Sequence, residues 1–156
     1  MIIITVLQAI TFIVYVTFLL IYFKGPLPSI SESWYRLPGF SRNLFTFFCW
    51  ILGFLMFFQT NGDSGLFFLS GAGLVFVGGV TQFKKDLAKS NLIHPIGAIF
   101  AIIGGLAGLI VERHTYLPLI VFSVLTLSII VTPIKNKTWW IENSAFLTIL
   151  SGLLFF

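Results

Sequence analysis

Charge is what this sequence has least of. Only 9% of its 156 residues are Asp, Glu, Lys or Arg, where a soluble domain carries about 25%. A chain so poor in charge cannot wrap one core in a wetted surface, so a soluble globule is excluded and nearly all of it must sit in lipid. Cysteine is scarce too. Cys49 stands alone inside an apolar run, so no intrachain disulfide can form and the redox compartment is not indicated. Histidine is limited to His94 and His114, with no H-x-x-x-H, whereas a catalytic zinc needs three protein ligands, commonly His with a carboxylate. There is no G-x-S-x-G elbow, no P-loop, no C-x-x-C and no pair of carboxylates on one helix face. The expectation is therefore no cofactor, no metal and no catalytic residue.

What is present is hydrocarbon. The chain is 58% hydrophobic, with nineteen Phe and four Trp and a mean hydropathy of +1.04. Its apolar runs predict an all-α polytopic transmembrane bundle, one domain over residues 1–156, with helices near 2–23, 44–58, 65–83, 92–111, 116–132 and 139–156. The first run can cross ~30 Å of hydrocarbon at 1.5 Å per residue. No Lys or Arg precedes it and no small-residue cleavage site follows it, so it reads as a retained helix. Several of the other runs are short for a crossing.

The stretch 91–111, NLIHPIGAIFAIIGGLAGLIV, is read as the central helix. Gly97, Ala101 and Gly105 are spaced by four, as are Gly104 and Gly108. Without a hydrophobic force between helices in lipid, small residues at this spacing allow backbones to approach. Gly71, Gly73, Gly78 and Gly79 in the preceding run predict a tight seam with it.

Charge asymmetry sets the topology. With six crossings, Lys24, Arg36, Arg42, Lys84, Lys85, Lys89, Lys135 and Lys137 fall on one face and Arg113 alone on the other. Short-loop bias of this kind marks the cytoplasmic side, so both termini are expected outside the cytoplasm. The lysines suit anionic headgroups, which makes membrane lipids the expected partners and gives nucleic acid no support. The longest polar segment, 24–43, is broken by prolines and glycines. It reads either as a loop lying at the membrane interface or as one folded back to line a site.

The topology gathers Ser31, Tyr35, Arg36, Arg42, His94 and Glu142 on the cytoplasmic side as candidate ligand-binding residues. Asp63, Glu112 and His114 fall on the other. A carboxylate inside a membrane helix usually faces the interior and finds a partner, here His94, Arg36 or Arg42. Alternatively Glu142 sits in the first turn of its helix, where the dipole suits a negative charge. His94, before a proline, is biased to extended backbone at a helix start. It serves there as a cap, or as a proton carrier or single metal ligand.

Several short motifs carry a resemblance. They are P-S-I-S-x-S-x-Y ending at Tyr35, R-N-L-F starting at Arg42, I-H-P around His94, and W-x-E ending at Glu142. With the Gly-rich third run, they make the chain similar to a group of small six-helix bacterial membrane proteins of unassigned activity. The resemblance implies that fold, a bacterial inner-membrane location, and Ser29, Ser31, Tyr35, Arg42, His94 and Glu142 as pattern-matching positions. A more distant similarity is to ceramidase and adiponectin-receptor-like membrane hydrolases, whose Ser, Asp and three zinc-binding His this chain does not supply.

Three functions follow. The first is a non-catalytic structural or accessory subunit of a membrane assembly, as a homo-oligomer or with another membrane protein. The second is a lipid- or small-ligand-binding protein with a polar cytoplasmic mouth, where an arginine pair beside Trp and Tyr would suit a phosphate headgroup. The third is a metal-dependent membrane hydrolase. Glycines on a lipid-facing stripe favour the first; glycines pointing inward do not.

Overall fold

A computed structural model describes residues 1–60, 64–80 and 87–156, with side chains outside 80–92. The expected turn residue Asp63 and the loop lysines Lys84 and Lys85 lie outside the described residues, as does the Lys89 side chain. The described chain is helical: α1 (Ile2–Phe23), a single turn α2 (Ser33–Arg36), α3 (Asn43–Phe57), α4 (Leu66–Val80), α5 (Leu87–Arg113), α6 (Leu117–Val131) and α7 (Lys137–Phe155), with a 3-10 turn at Gly39–Arg42. No strand occurs among the described residues. Three stretches, Ile2–Phe23, Gly39–Phe57 and Ile93–Arg113, are long and apolar enough to cross a membrane. The chain is a membrane helix-bundle protein. Leu66–Gly79 and Leu117–Val131 are apolar but shorter; a 15-residue helix such as α4 spans only about 22 Å at 1.5 Å per residue.

Neighbour relations define the architecture. α1 packs on α3, α3 on α4, α4 on α5, α5 on α7, and α7 back on α1. Five helices thus close a ring, and α6 lies outside it against α7. This corrects the expectation that 91–111 forms a central helix. α5 is one stave of the ring, and the middle is a cavity.

The tightest seams run along α4, which uses a different glycine set on each flank. A Cβ on Gly73 would lie 2.5 Å from Ala101 N and Gly97 O of α5, and one on Gly104 would lie 2.8 Å from Ser70 N of α4. On the other flank, a Cβ on Gly71 would lie 2.5 Å from Gly53 O of α3, and one on Gly78 would lie 2.8 Å from Cys49 Cβ. These backbones touch, as small residues in lipid permit. Gly97, Ala101, Gly104 and Gly108 all serve the α4 seam, Gly108 under the Phe67 ring; Gly105 looks between Ile149 of α7 and Ser70. The Gly-rich run therefore serves α3 as well as α5.

α6 has no glycine or alanine, and of its residues only Pro118 is buried. Its packing partner is α7, and Ile120, Val124, Leu127 and Val131 are exposed. α5 begins earlier than expected and runs through Pro95. The missing N–H and the bias on His94 are outweighed because neighbouring helices hold a proline-containing membrane helix in place. His94 therefore sits within a helix, not at its start.

Candidate functional site

The loop after α1 is folded back into the end of the ring. α1 stops at Lys24 in left-handed conformation (φ 56°), and Gly25 N–H returns to Leu20 O at 3.0 Å. The chain then turns inward, burying Leu27, Ile30, Ser33, Trp34 and Leu37. Prolines at 26, 28 and 38 leave room between them for the one turn of α2.

Three links pin this lid. Asn136 donates from Nδ2 to Pro26 O at 2.8 Å. Trp139 N–H, an orphan donor of the first turn of α7, reaches Pro28 O at 3.1 Å. Ile30 N–H donates to Glu142 Oε2 at 2.5 Å. A fourth comes from α1. Ser33 Oγ gives its proton to Ile30 O at 2.6 Å, so Tyr15 is the donor in the 2.7 Å contact between Tyr15 Oη and Ser33 Oγ.

Beneath the lid, inside the ring, lies a cavity of about 80 Å³. Every ring helix lines it. Gln8 comes from α1; Phe45, Phe48, Cys49, Leu52 and Met56 from α3; Ser70, Leu74 and Val77 from α4. His94, Ala98, Ala101 and Ile102 come from α5, and Glu142, Ala145, Phe146, Ile149 and Leu150 from α7. Between Glu142 and Ile149, or His94 and Ile102, it extends about 10–12 Å along the helices at 1.5 Å per residue. Volume and length together describe a column one chain wide. Its wall is braced by rings: Phe48 stacks on Tyr15 with centroids 4.3 Å apart and Phe146 tilts against Phe12 at 5.1 Å.

The column is apolar along its length and polar at both ends. Ser31 from the lid, His94 and Glu142 mark one end. Gln8 and Ser70 mark the other. Of the residues expected to form the cytoplasmic mouth, Ser31, His94 and Glu142 do line this space. Tyr35, Arg36 and Arg42 do not. Tyr35 is half exposed and meets Trp34 edge-on at 5.2 Å. Arg36 pairs with Glu32 across one helical turn at 3.2 Å, an exposed bridge of small energetic weight. Arg42 donates to Gly39 O at 3.0 Å and lies 5.5 Å above the Trp34 ring.

Glu142 is the sixth residue of α7, past the first turn. The helix dipole is therefore not its anchor; the lid backbone is. His114, at φ 53°, lies past the far end of α5, about 30 Å from His94 at 1.5 Å per residue. Residues that the sequence reasoning did not single out are Gln8, Tyr15, Ile30, Ser33 and Ser70. Gln8 carried a readable signal, as the single amide in a 22-residue apolar helix, because polar residues within spans face the interior.

Among known proteins, no family model matches this chain, and neither a curated protein nor a solved structure matches it.

Proposed function

We propose that the chain is a six-crossing membrane protein that holds a narrow amphiphile in the column. The apolar chain fills the space inside the ring, and a hydrogen-bonding head, a hydroxyl or an amine, sits against Ser31, His94 and Glu142. The observation that carries this reading is the column itself: narrow, apolar in its middle, covered at one end by a pinned lid and polar beneath that lid. At about 80 Å³ it is well below the roughly 300 Å³ or more of sites for drug-sized ligands, which argues for a thin occupant. A carboxylate at the end and both arginines engaged elsewhere argue against a phosphate head.

Six crossings with both termini outside the cytoplasm remain part of the proposal, supported by the eight-to-one distribution of Lys and Arg across the loops. The lid then lies on the cytoplasmic side. The short α4 fits beside longer neighbours because its backbone is clamped on both flanks, and local thinning of the bilayer accommodates such a helix at modest cost. Membership in the small six-helix bacterial group, with an inner-membrane location, belongs to the same reading. Surrounding lipids are the partners of the exposed apolar residues. The glycine stripes face inward, which favours ligand binding over the assembly-subunit reading.

The test is native mass spectrometry of protein released gently from membranes with lipids retained. A one-to-one adduct of hydroxyl or amine class is expected on wild type and is lost in Ala98→Leu or Ala145→Leu, which fill the column. Equal adducts in all three proteins, or a defined oligomer without a ligand, would overturn the reading.

A further inference from the structure

The end of the column away from the lid holds polar groups that the proposed head does not use. Gln8 is 1% exposed, and Thr5 and Gln59 are fully buried. An amide placed in a membrane interior without partners costs free energy, so its bonds must be accounted for one by one. Gln59 donates from Nε2 to Thr5 Oγ1 at 2.8 Å and to Gln8 Oε1 at 2.9 Å. The second bond fixes the Gln8 amide with its oxygen toward Gln59. Its nitrogen, with two N–H donors, is left for the column that Gln8 lines, and no described residue accepts from it. Ser70 Oγ spends its single proton on Ala101 O at 2.6 Å, so toward the column it is an acceptor. Gln59 Oε1 is buried without a partner among the described residues. The deep end thus presents a donor from α1 and an acceptor from α4 on the two sides of one narrow space.

We infer that this end is a second polar subsite, and that the ligand carries an oxygen function at the end of its chain remote from the lid. A terminal hydroxyl meets both demands, accepting from Gln8 Nε2 and donating to Ser70 Oγ; a carbonyl meets the first. The subsite rests on the column being a ligand site and narrows the ligand class. A chain with a plain methyl end leaves Gln8 unsatisfied, whereas a chain polar at both ends satisfies the lid end and the deep end together. Gln59 and Thr5 are positioning residues, since they reach the column only through Gln8.

The test compares pentanol with the corresponding terminal pentanediol as ligands of the detergent-solubilised protein, read by thermal unfolding across a concentration series. One added hydrogen-bonded group in a buried site contributes about 0.5–1.5 kcal/mol, so the diol should bind up to about tenfold more tightly. Gln8→Met keeps the volume and removes the donor, and it should bring the two ligands to equal affinity. Ser70→Ala should halve or further reduce the preference. Equal binding of pentanol and diol by wild type would overturn the subsite while leaving the column as a ligand site. A preference for the diol that survives Gln8→Met would remove Gln8 from the role. Binding of neither would overturn the column reading as well. If Gln8→Met does not fold, the wild-type comparison and Ser70→Ala decide alone.

Discussion

The two flanks of α5 meet the same lipid-soluble chemistry with opposite results. Toward α4, Gly97, Ala101, Gly104 and Gly108 bring backbones into contact and leave no gap. Toward α7, the side chains that face one another across the cavity are Ala98 and Ile102 against Phe146 and Ile149, and a column stays open. Hydrophobicity does not separate the two, since both are apolar. Size placement does. Small residues in matching register seal a seam, and braced aromatic rings hold helices apart. The ring therefore has two backbone-to-backbone seams, α3–α4 and α4–α5, and a looser α5–α7–α1 side, with the lid tied to α7 through Glu142.

The largest expected break of this contrast is on the sealed side. Gly73→Leu or Gly104→Leu would drive a side chain into the backbone of the facing helix. Overpacking typically costs 1–3 kcal/mol and occasionally more. Contacts with backbone put these at or above ~3 kcal/mol, read as loss of a monodisperse peak in detergent chromatography. Gly105→Leu should be milder, because the nearest obstacle is the movable end of Ile149.

Next comes the lid. Glu142→Leu leaves the Ile30 N–H unsatisfied beneath the loop, at ~1–3 kcal/mol. Thermal unfolding should register the loss, and limited proteolysis should cut residues 26–37 faster. Glu142→Gln retains an acceptor and should restore most of it. A Glu142→Leu protein as stable as wild type would cut the tie between lid and column.

On the open side the effect on folding should be smaller still. Ala98→Leu fills existing space, so stability should change by less than the ~1–3 kcal/mol of overpacking a filled core, while ligand adducts disappear. The smallest effect is expected at Gly79, where an added Cβ meets nothing within 4 Å. Gly79→Ala should be neutral or stabilise by up to ~1 kcal/mol through helix propensity alone.

Much of this was legible in the sequence, and the parts that were not have identifiable reasons. α1 spans 2–23 as its apolar run dictates, and α3 and α6 lie within a residue or two of their expected ends. α5 starts earlier because a local proline rule yields to packing against α4. The glycine spacing announced close approach, but it could not say that α4 would use two faces for two neighbours. Nor could it say that the ring would close around a gap. Of the site, Ser31, His94 and Glu142 were readable as polar groups at one end of the spans. The arginines do not line the column, because a charge count places residues on a side of the membrane and not on a face of the loop; Arg36 pairs with Glu32 one turn away. Ile30 was invisible because its contribution is a backbone N–H. α6 has no glycine or alanine in LPLIVFSVLTLSIIV, and it meets α7 without the backbone seams that glycines give α4.

The most direct test of the central claim is photo-crosslinking with a diazirine-bearing pentanol in native membranes, with the labelled peptides mapped by mass spectrometry. An occupied column predicts saturable labelling of interior residues such as Leu52, Met56 and Ile149, competed by unlabelled pentanol and abolished by Ala98→Leu. Labelling confined to the exposed side of α6, at Val124 and Leu127, without saturation, would mean that the amphiphile meets this protein only as solvent and that the column is not a binding site.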